Sequence, residues 1–273
     1  MKRISILGSG WLGFPLALAF HKQGFQVKAS SRTDKRLSPV KKAGIETHLL
    51  DIEESQISTD FFQADILIVN ITSKNVEAFQ RLIAVIEQST IQHVVFISST
   101  SVYANSKNLH SASVTEEDHQ QLINCPLLKI ERLFQASSQF TTTIIRFAGL
   151  IGYQRHPGRF FLATTEHDEV YCKTIKNPDA CVNMIHRDDC LGLIEAVIKN
   201  NVWGEVFNAC ATSHPARRDF YQAAMKHLGD FDPIFSGQTD SVGKVISNEK
   251  IKEQLNYSFI YDDLLNFKSM PFN

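Results

Sequence analysis

The sequence predicts an α/β protein built on a doubly wound, parallel β-sheet. Three observations predict this class. Short apolar strands alternate with segments of helical periodicity, and a glycine-rich turn separates the first strand from the first helix. The nearly continuous apolar run Ala64–Asn70 is typical of a strand that is covered on both faces. Strands separated by helices need crossover connections, and such connections make neighbouring strands parallel.

The predicted elements follow one another in regular order. In the helix at 75–88 the apolar residues recur at helical spacing, and Pro126 suits the first turn of a helix that ends at Ala136. Acidic residues at 188 and 189 are expected to cap a later helix at 190–199. The predicted strands are 3–7, 25–30, 46–51, 64–70, 92–98, 141–147 and 205–209, and the first helix follows the glycine-rich turn at 14–20.

The chain is long enough for one large domain, or for one domain and a smaller lobe, at 273 residues. We expect residues 1–150 to form a nucleotide-binding domain to which 180–210 return. Residues 151–179 and 211–273 are then expected to form a smaller C-terminal lobe that selects the substrate.

The turn Gly8-Ser9-Gly10-Trp11-Leu12-Gly13 lies between a strand and a helix, which is the context that a Rossmann-type dinucleotide fingerprint requires. Gly8 permits the tight turn, Gly10 lets the backbone approach a pyrophosphate, and Gly13 lets the helix pack on the strand. The helix N-terminus directs partial positive charge toward the phosphates. Gly8, Gly10, Trp11, Leu12 and Gly13 are therefore candidate cofactor-binding residues.

The same N-terminal segment has a rival interpretation as a secretory signal, because Met1-Lys2-Arg3 precedes an apolar stretch. Its three glycines and one proline would interrupt the apolar core, and its removal would delete the first strand. We expect a cytoplasmic protein without a membrane span. A net charge of −1 gives no reason to expect a nucleic-acid partner. The five cysteines include no Cys-x-x-Cys pair, so neither a disulfide framework nor a metal site is expected.

The end of the second strand predicts which dinucleotide is preferred. An NAD site usually has an acidic residue there for the ribose hydroxyls. This chain has Ser30-Ser31-Arg32-Thr33, and Lys35 and Arg36 follow. Hydroxyls and a guanidinium favour a 2′-phosphate, so Ser31 and Arg32 predict NADP rather than NAD. The alternative is a solvated basic loop. Asp51, at the end of the third strand, is a further candidate cofactor contact.

Four further segments carry recognisable motifs. They are Phe96-Ile97-Ser98-Ser99-Thr100-Ser101-Val102-Tyr103, Ile145–Gly152, Asn183-Met184-Ile185-His186-Arg187-Asp188-Asp189 and Ser247–Leu255. Together they resemble the extended, epimerase/dehydratase-like branch of the short-chain dehydrogenase/reductase superfamily, with particular likeness to its YeeZ-like subgroup. The first segment ends in that branch's Val-Tyr, and the third looks like its Asn-Phe-Ile-His-x-Asp-Asp signature. The glycine turn departs slightly, because the branch usually has glycine where Leu7 stands.

The resemblance implies a set of catalytic positions. Ser99 falls on the family's catalytic Ser/Thr, and Thr100 follows it. The family expects Tyr-x-x-x-Lys, where the tyrosine transfers the proton and the lysine holds the nicotinamide ribose. Here the aligned residues are Cys125 and Lys129. Lys129 is expected to keep its role, although it could equally be a solvated helix lysine. Cys125, expected at a helix N-cap, is either a catalytic thiol or a simple loss of the tyrosine.

The second half offers candidate substrate contacts in two basic stretches. Arg155, Arg159 and Arg217 could bind a phosphate or a carboxylate, or they could be surface charges. His186 is expected to be a structural histidine bonded to neighbouring backbone. The acidic pair at 188 and 189 is expected to serve the helix rather than catalysis.

Two functions therefore remain open. The first is an NADP-dependent oxidoreductase or epimerase that acts on a small, anionic carbonyl or sugar-like compound. The second is a catalytically weakened NAD(P)-binding sensor or scaffold, which the missing tyrosine favours. The expected partner is a small-molecule substrate, and the resemblance implies a homodimer through the helices at 75–88 and 126–136.

Overall fold

The computed structural model describes residues 2–54, 57–106, 113–164, 170–229, 231–237 and 243–273. The described strands are β1 (Arg3–Leu7), β2 (Gln26–Ser31), β3 (Glu46–Leu49), β4 (Ile66–Val69), β5 (His93–Ser99), β6 (Thr141–Phe147), β7 (Gly149–Ile151), β8 (Leu162–Thr164), β9 (Val170–Cys172), β10 (Met184–His186) and β11 (Val206–Ala209). The described helices are α1 (Gly13–Lys22), α2 (Asp34–Lys42), α3 (Val76–Glu87), α4 (Pro126–Ala136), α5 (Arg187–Lys199), α6 (Arg217–Gly229) and α7 (Glu249–Leu255).

The central sheet has seven strands in the order β11-β6-β5-β4-β1-β2-β3. β1 pairs in parallel with both β2 and β4, and β2–β3 and β4–β5 are also parallel. The chain therefore moves outward from β1 in one direction and then returns to build the other half of the sheet. This confirms the predicted doubly wound α/β fold and places a topological switch point between β1 and β4, where such sheets bind ligands at their carboxyl ends.

Burial explains why the apolar runs became strands of this sheet. All four residues of β4 are buried, as expected for a strand with both faces covered. One face packs with α3 and α4 in a cluster that includes Leu67, Phe79, Phe96 and Phe134. The apolar side chains at helical spacing in α3 thus bury one stripe of that helix against the sheet.

One helix was not predicted, and the start of another differs from the prediction. α2 carries Lys35 and Arg36 in its first turns and buries Leu37 and Val40, so the alternative of a solvated basic loop after β2 does not hold. α5 begins at Arg187, three residues before the predicted start at 190. The acidic residues at 188 and 189 therefore lie inside its first turn rather than ahead of it.

The chain divides into two compact units. The sheet unit comprises Met1–Val102, Ile123–Arg146 and Leu193–Phe207, and the second unit comprises Tyr103–Leu122, Phe147–Gly192 and Asn208–Asn273. The second unit contains the parallel pair β7–β10 and the antiparallel pair β8–β9. The domain boundaries expected from the sequence stay a prediction. Within the described parts of the chain, no helix is long and apolar enough to cross a membrane.

Candidate functional site

The glycines of the turn after β1 meet different constraints. Gly8 has a φ of +104°, and a Cβ there would lie 2.3 Å from the Asn70 carbonyl oxygen. A Cβ on Gly13 would lie 2.0 Å from the Gly8 carbonyl oxygen. The fold itself therefore requires glycine at both positions.

Gly10 differs, because a Cβ at that position would meet no heavy atom within 4 Å. Its neighbourhood is open, and the Gly10 carbonyl accepts the Phe14 N–H at 3.0 Å as α1 begins. The described fold gives no steric reason for a glycine here, whereas a pyrophosphate drawn close to the backbone would give one. The residues present therefore fit a dinucleotide at this turn.

The carboxyl end of β2 combines buried hydroxyls with an exposed guanidinium. Ser30 Oγ accepts the Gly8 N–H at 3.3 Å, which ties this strand end to the glycine turn. Ser31 is buried and accepts the Thr33 N–H through its hydroxyl at 3.3 Å, whereas Arg32 is exposed. Asp51 accepts the Glu53 N–H at 3.0 Å at the end of the neighbouring strand.

Glu53 is an acidic residue of this region that the sequence reasoning missed. Its carboxylate accepts hydrogen bonds from Ser73 at 2.7 Å and from Asn75 at 2.6 Å. These two bonds lower the pKa of Glu53, and the charge of Arg32 contributes in the same direction. The charged groups near Arg32 therefore include the Glu53 carboxylate as well as the basic residues of α2.

The carboxyl end of β5 presents a hydroxyl that can donate. Ser99 Oγ accepts the Ser101 N–H at 3.1 Å, because the chain turns into a short 3-10 helix at Thr100–Val102. The hydroxyl proton of Ser99 can still be donated to a ligand oxygen. Thr100 is buried. Ser99 is thus the better placed of the two for polarising a carbonyl.

The start of α4 has the local geometry that the sequence predicts. Cys125 is the N-cap, with extended backbone and no side-chain capping bond, and Pro126 opens the helix. The Lys129 N–H donates to the Cys125 carbonyl at 3.1 Å, and the Lys129 side chain is exposed one turn into the helix. Cys125 and Lys129 therefore lie on the same short stretch of the sheet unit, as the family spacing implies.

A buried charge cluster fixes α4 against the end of β5. The Glu131 carboxylate accepts the Ser98 hydroxyl at 2.5 Å and the Arg146 guanidinium at 2.6 Å. Glu131 is fully buried and Arg146 is 4% exposed. The cluster joins β5, α4 and β6, so it holds the strand end that carries Ser99 and the helix that carries Lys129 in one arrangement. The sequence analysis did not predict this cluster. Glu131 and Arg146 each stand within an otherwise apolar pattern, and that feature could have indicated a buried ion pair.

The signature around His186 has a structural role in the second unit. His186 is fully buried, its Nε2 lies 3.1 Å from the Pro271 carbonyl, and its Nδ1 accepts the Asp188 N–H at 3.2 Å. Asp189 accepts the Tyr257 hydroxyl at 3.1 Å and backbone N–H groups of the C-terminal segment. Both side chains hold this segment against α5, which agrees with the structural interpretation of the sequence.

The three candidate arginines of the second unit occupy different surroundings. Arg217 is the first residue of α6 and lines a cavity of about 250 Å³, whereas Arg155 and Arg159 are exposed and lie outside that lining. The cavity lies wholly within the second unit. Its lining consists of Asn105, Asn177, Ala180, Cys181, Val182, Asn183, Met184, Arg217, Tyr221, Gly243 and Lys244. Among the described residues, no cluster of side chains could hold a metal ion.

Comparisons with known proteins identify relatives of the whole chain. The profile of the NAD(P)H-binding family matches residues 8–179. Protein YeeZ of Escherichia coli K12 is 31% identical, and the match covers 97% of this chain and 98% of that protein. These findings confirm the resemblance drawn from the sequence motifs.

Solved structures share the fold at lower identity. A short-chain dehydrogenase/reductase superfamily protein from Agrobacterium tumefaciens with bound NAD has a TM-score of 0.74 at 18% identity, covering 98% of this chain and 96% of that one. UDP-glucuronic acid 4-epimerase from Bacillus cereus, in complex with UDP-glucuronic acid and NAD, has a TM-score of 0.76 at 17% identity, covering 98% of both chains.

Proposed function

The chain belongs to the NAD(P)H-binding family, and from this premise we propose that it is an NADP-dependent oxidoreductase or epimerase acting on a small anionic carbonyl or sugar-like compound. The observation that carries the proposal is the open space at Gly10, between two glycines that the fold itself requires. Gly8–Gly13 would surround the pyrophosphate, and Lys129 would hold the nicotinamide ribose. The bound dinucleotide would supply or accept the hydride.

The proposed preference for NADP rests on Arg32. Its side chain is exposed directly after the carboxyl end of β2, next in sequence to Ser31, and its guanidinium can bind a 2′-phosphate. Glu53 opposes this preference, because its negative carboxylate interacts with the positive charge of Arg32 and would compete with a bound phosphate for it. The Glu53 carboxylate already accepts hydrogen bonds from two neutral donors. We therefore expect a doubly charged 2′-phosphate to be the stronger partner for the Arg32 guanidinium.

Calorimetric titration of NADPH and NADH tests this preference. We expect tighter binding of NADPH, and Arg32→Ala should weaken NADPH alone by about 1–3 kcal/mol, the range of hydrogen bonds to charged groups. Lys42→Ala is the matched control, because Lys42 is exposed at the opposite end of α2. Equal affinities in the wild-type protein would refute the NADP assignment while leaving dinucleotide binding intact.

The proposed chemistry assigns polarisation of the substrate carbonyl to Ser99. Its oxygen is oriented by the Ser101 N–H, so its proton can point toward a ligand oxygen at no cost in backbone bonding. Lys129 contributes positive charge from the first turn of α4. Screening carbonyl compounds for NADPH oxidation tests the reaction class. Ser99→Ala should then lose most turnover, whereas Ser101→Ala keeps the backbone donor and should lose little.

The second candidate function is an NAD(P)-binding sensor or scaffold, and Cys125 is the observation that favours it. A thiol stands at the helix position where the family has its proton-transferring tyrosine. Tight dinucleotide binding that changes the association state of the protein, measured by sedimentation, would support this function. The same measurement tests the homodimer through α3 and α4 that the family resemblance implies.

A further inference from the structure

We propose that the second unit contains a binding site for a small organic anion, formed by Arg217 and Lys244 in the wall of its cavity. The proposal deepens the proposed function, on which it rests for the view that the anion is the substrate. It adds the residues that bind the charge and the kind of anionic group that the cavity suits.

The described lining of the cavity carries positive charge and no carboxylate. Among the described residues that line it, only Arg217 and Lys244 are charged. Neither forms an ion pair with a carboxylate of the described residues, whereas the adjacent Arg218 bonds to Asp179 at 3.3 Å. Burial lowers the pKa of Lys244, because its ammonium group has lost part of its water. An anion in the cavity would replace that lost solvation with a direct charge pair.

Both cations are held by backbone and amide contacts, so the site is formed in advance. Asn183 donates to the Lys244 carbonyl at 2.8 Å and accepts the Ile246 N–H at 2.9 Å, which fixes the strand-like segment that carries Lys244. The Lys244 ammonium donates to the Tyr103 carbonyl at 2.6 Å, leaving two further N–H donors for a ligand.

Arg217 is fixed from the other wall of the cavity. Its N–H donates to the Ala180 carbonyl at 2.8 Å as α6 begins, and its guanidinium lies 5.9 Å from the centre of the Tyr221 ring. A residue with a fork of N–H donors and a residue with an ammonium group thus both line one small cavity, which is suited to a phosphate or carboxylate.

The size of the cavity distinguishes between classes of anion. Its volume of about 250 Å³ lies below the range of roughly 300–1,000 Å³ that encloses drug-sized ligands. A nucleotide sugar, such as the one bound by the Bacillus cereus epimerase, is larger than a typical drug. The enclosed part of the cavity therefore suits a short phosphorylated or carboxylated group.

Titration calorimetry on the full-length protein without dinucleotide tests the site, with glycerol phosphate and UDP-glucuronic acid as probes. We expect glycerol phosphate to bind the wild type and Arg217→Gln to lose about tenfold or more in affinity, as for one charge-assisted contact. Arg218→Gln is the matched control and should bind like the wild type. The wild type should bind UDP-glucuronic acid more weakly than glycerol phosphate, because a nucleotide sugar exceeds the enclosed volume of the cavity.

Lys244→Met is the second variant and should also weaken glycerol phosphate binding, so the proposal stays testable if Arg217→Gln does not fold. Equal affinity of the wild type and both variants for glycerol phosphate, or no binding by the wild type, would overturn the proposal. A separate titration of NADPH distinguishes the two proposals. Loss of anion binding with NADPH binding retained is the expected behaviour of Arg217→Gln, and failure of NADPH to bind the wild type refutes the dinucleotide site alone.

Discussion

Substituting alanine at Gly10 and at Gly13 should have opposite effects on the stability of the free protein. Gly10 has space for a methyl group, and its φ is not among the positive values, so alanine can adopt the native conformation. A Gly→Ala change at such a site stabilises the folded state by about 0.4–1 kcal/mol, because the unfolded chain loses freedom. Gly10→Ala should therefore be neutral or stabilising in the free protein.

The same substitution at Gly13 should destabilise the fold. The new Cβ would lie 2.0 Å from the Gly8 carbonyl oxygen, a backbone atom that cannot rotate away. Either α1 or the turn must shift by more than an ångström, and overpacking of this kind costs about 1–3 kcal/mol or more. Urea unfolding followed by circular dichroism measures both variants against the wild type.

Dinucleotide affinity completes the prediction. Gly10→Ala should weaken NADPH by at least about tenfold, or roughly 1.4 kcal/mol, because the methyl group occupies space that a pyrophosphate needs. Gly10→Val should abolish binding in a folded protein. Normal NADPH affinity in Gly10→Ala would show that this space is not a phosphate cradle. A loss of stability in Gly10→Ala as large as in Gly13→Ala would refute the steric argument itself.

Three further predictions concern single side chains. Lys129→Met should weaken NADPH binding if the ammonium group holds the ribose, and calorimetry with unchanged affinity would contradict that role. Cys125→Ser should keep most of any reductase activity while Ser99→Ala loses more; the opposite ranking in the NADPH oxidation assay would identify the thiol as the acid. Protonation of His156 should lower the free energy of unfolding by up to about 3 kcal/mol as the pH falls from 6.5 to 4, because burial lowers the pKa of His156 to about 4, so the unfolded chain binds the extra proton first. His156→Asn, which keeps an acceptor for the Gly158 N–H, should remove this contribution and leave that of His93, His186 and His214, whose pKa values burial also lowers.

Local chemistry explains why the glycine turn and the start of α4 could be predicted from sequence. The turn at Gly8–Gly13 could be recognised because its glycines stand between an apolar strand pattern and a helix pattern, and Pro126 after Cys125 marks a helix start in the same local way. The helix α2 was missed because its charged residues and Pro39 obscure a short apolar pair that only the folded sheet buries.

Long-range contacts explain what the sequence could not predict. Lys244 belongs to no recognisable sequence motif. Its backbone is held beside the cavity by Asn183, 61 residues away, which donates a hydrogen bond to the Lys244 carbonyl. Glu131 and Arg146 pair across 15 residues, and only the packing of α4 between two strands brings them together. A charged residue in each of two apolar patterns was a usable sign of such a pair, since buried charges are rarely tolerated alone.

In the proposed carbonyl reduction, proton transfer is the step that is affected by a cysteine at position 125 in place of the family's tyrosine. Hydride addition leaves an alkoxide that must be protonated, and the family assigns that step to a tyrosine. Ser99 can stabilise the developing charge, since the Ser101 N–H orients its hydroxyl, but a serine that gives up its proton must be reprotonated from solvent. The thiol of Cys125 is shorter than a phenol by a ring of roughly 3 Å, and proton transfer needs close heavy-atom contact. A water molecule has to complete the relay in either case. Turnover in this chain should therefore be slower than in a relative with the tyrosine, while dinucleotide binding, which we propose to depend on the glycine turn and Lys129, should remain intact.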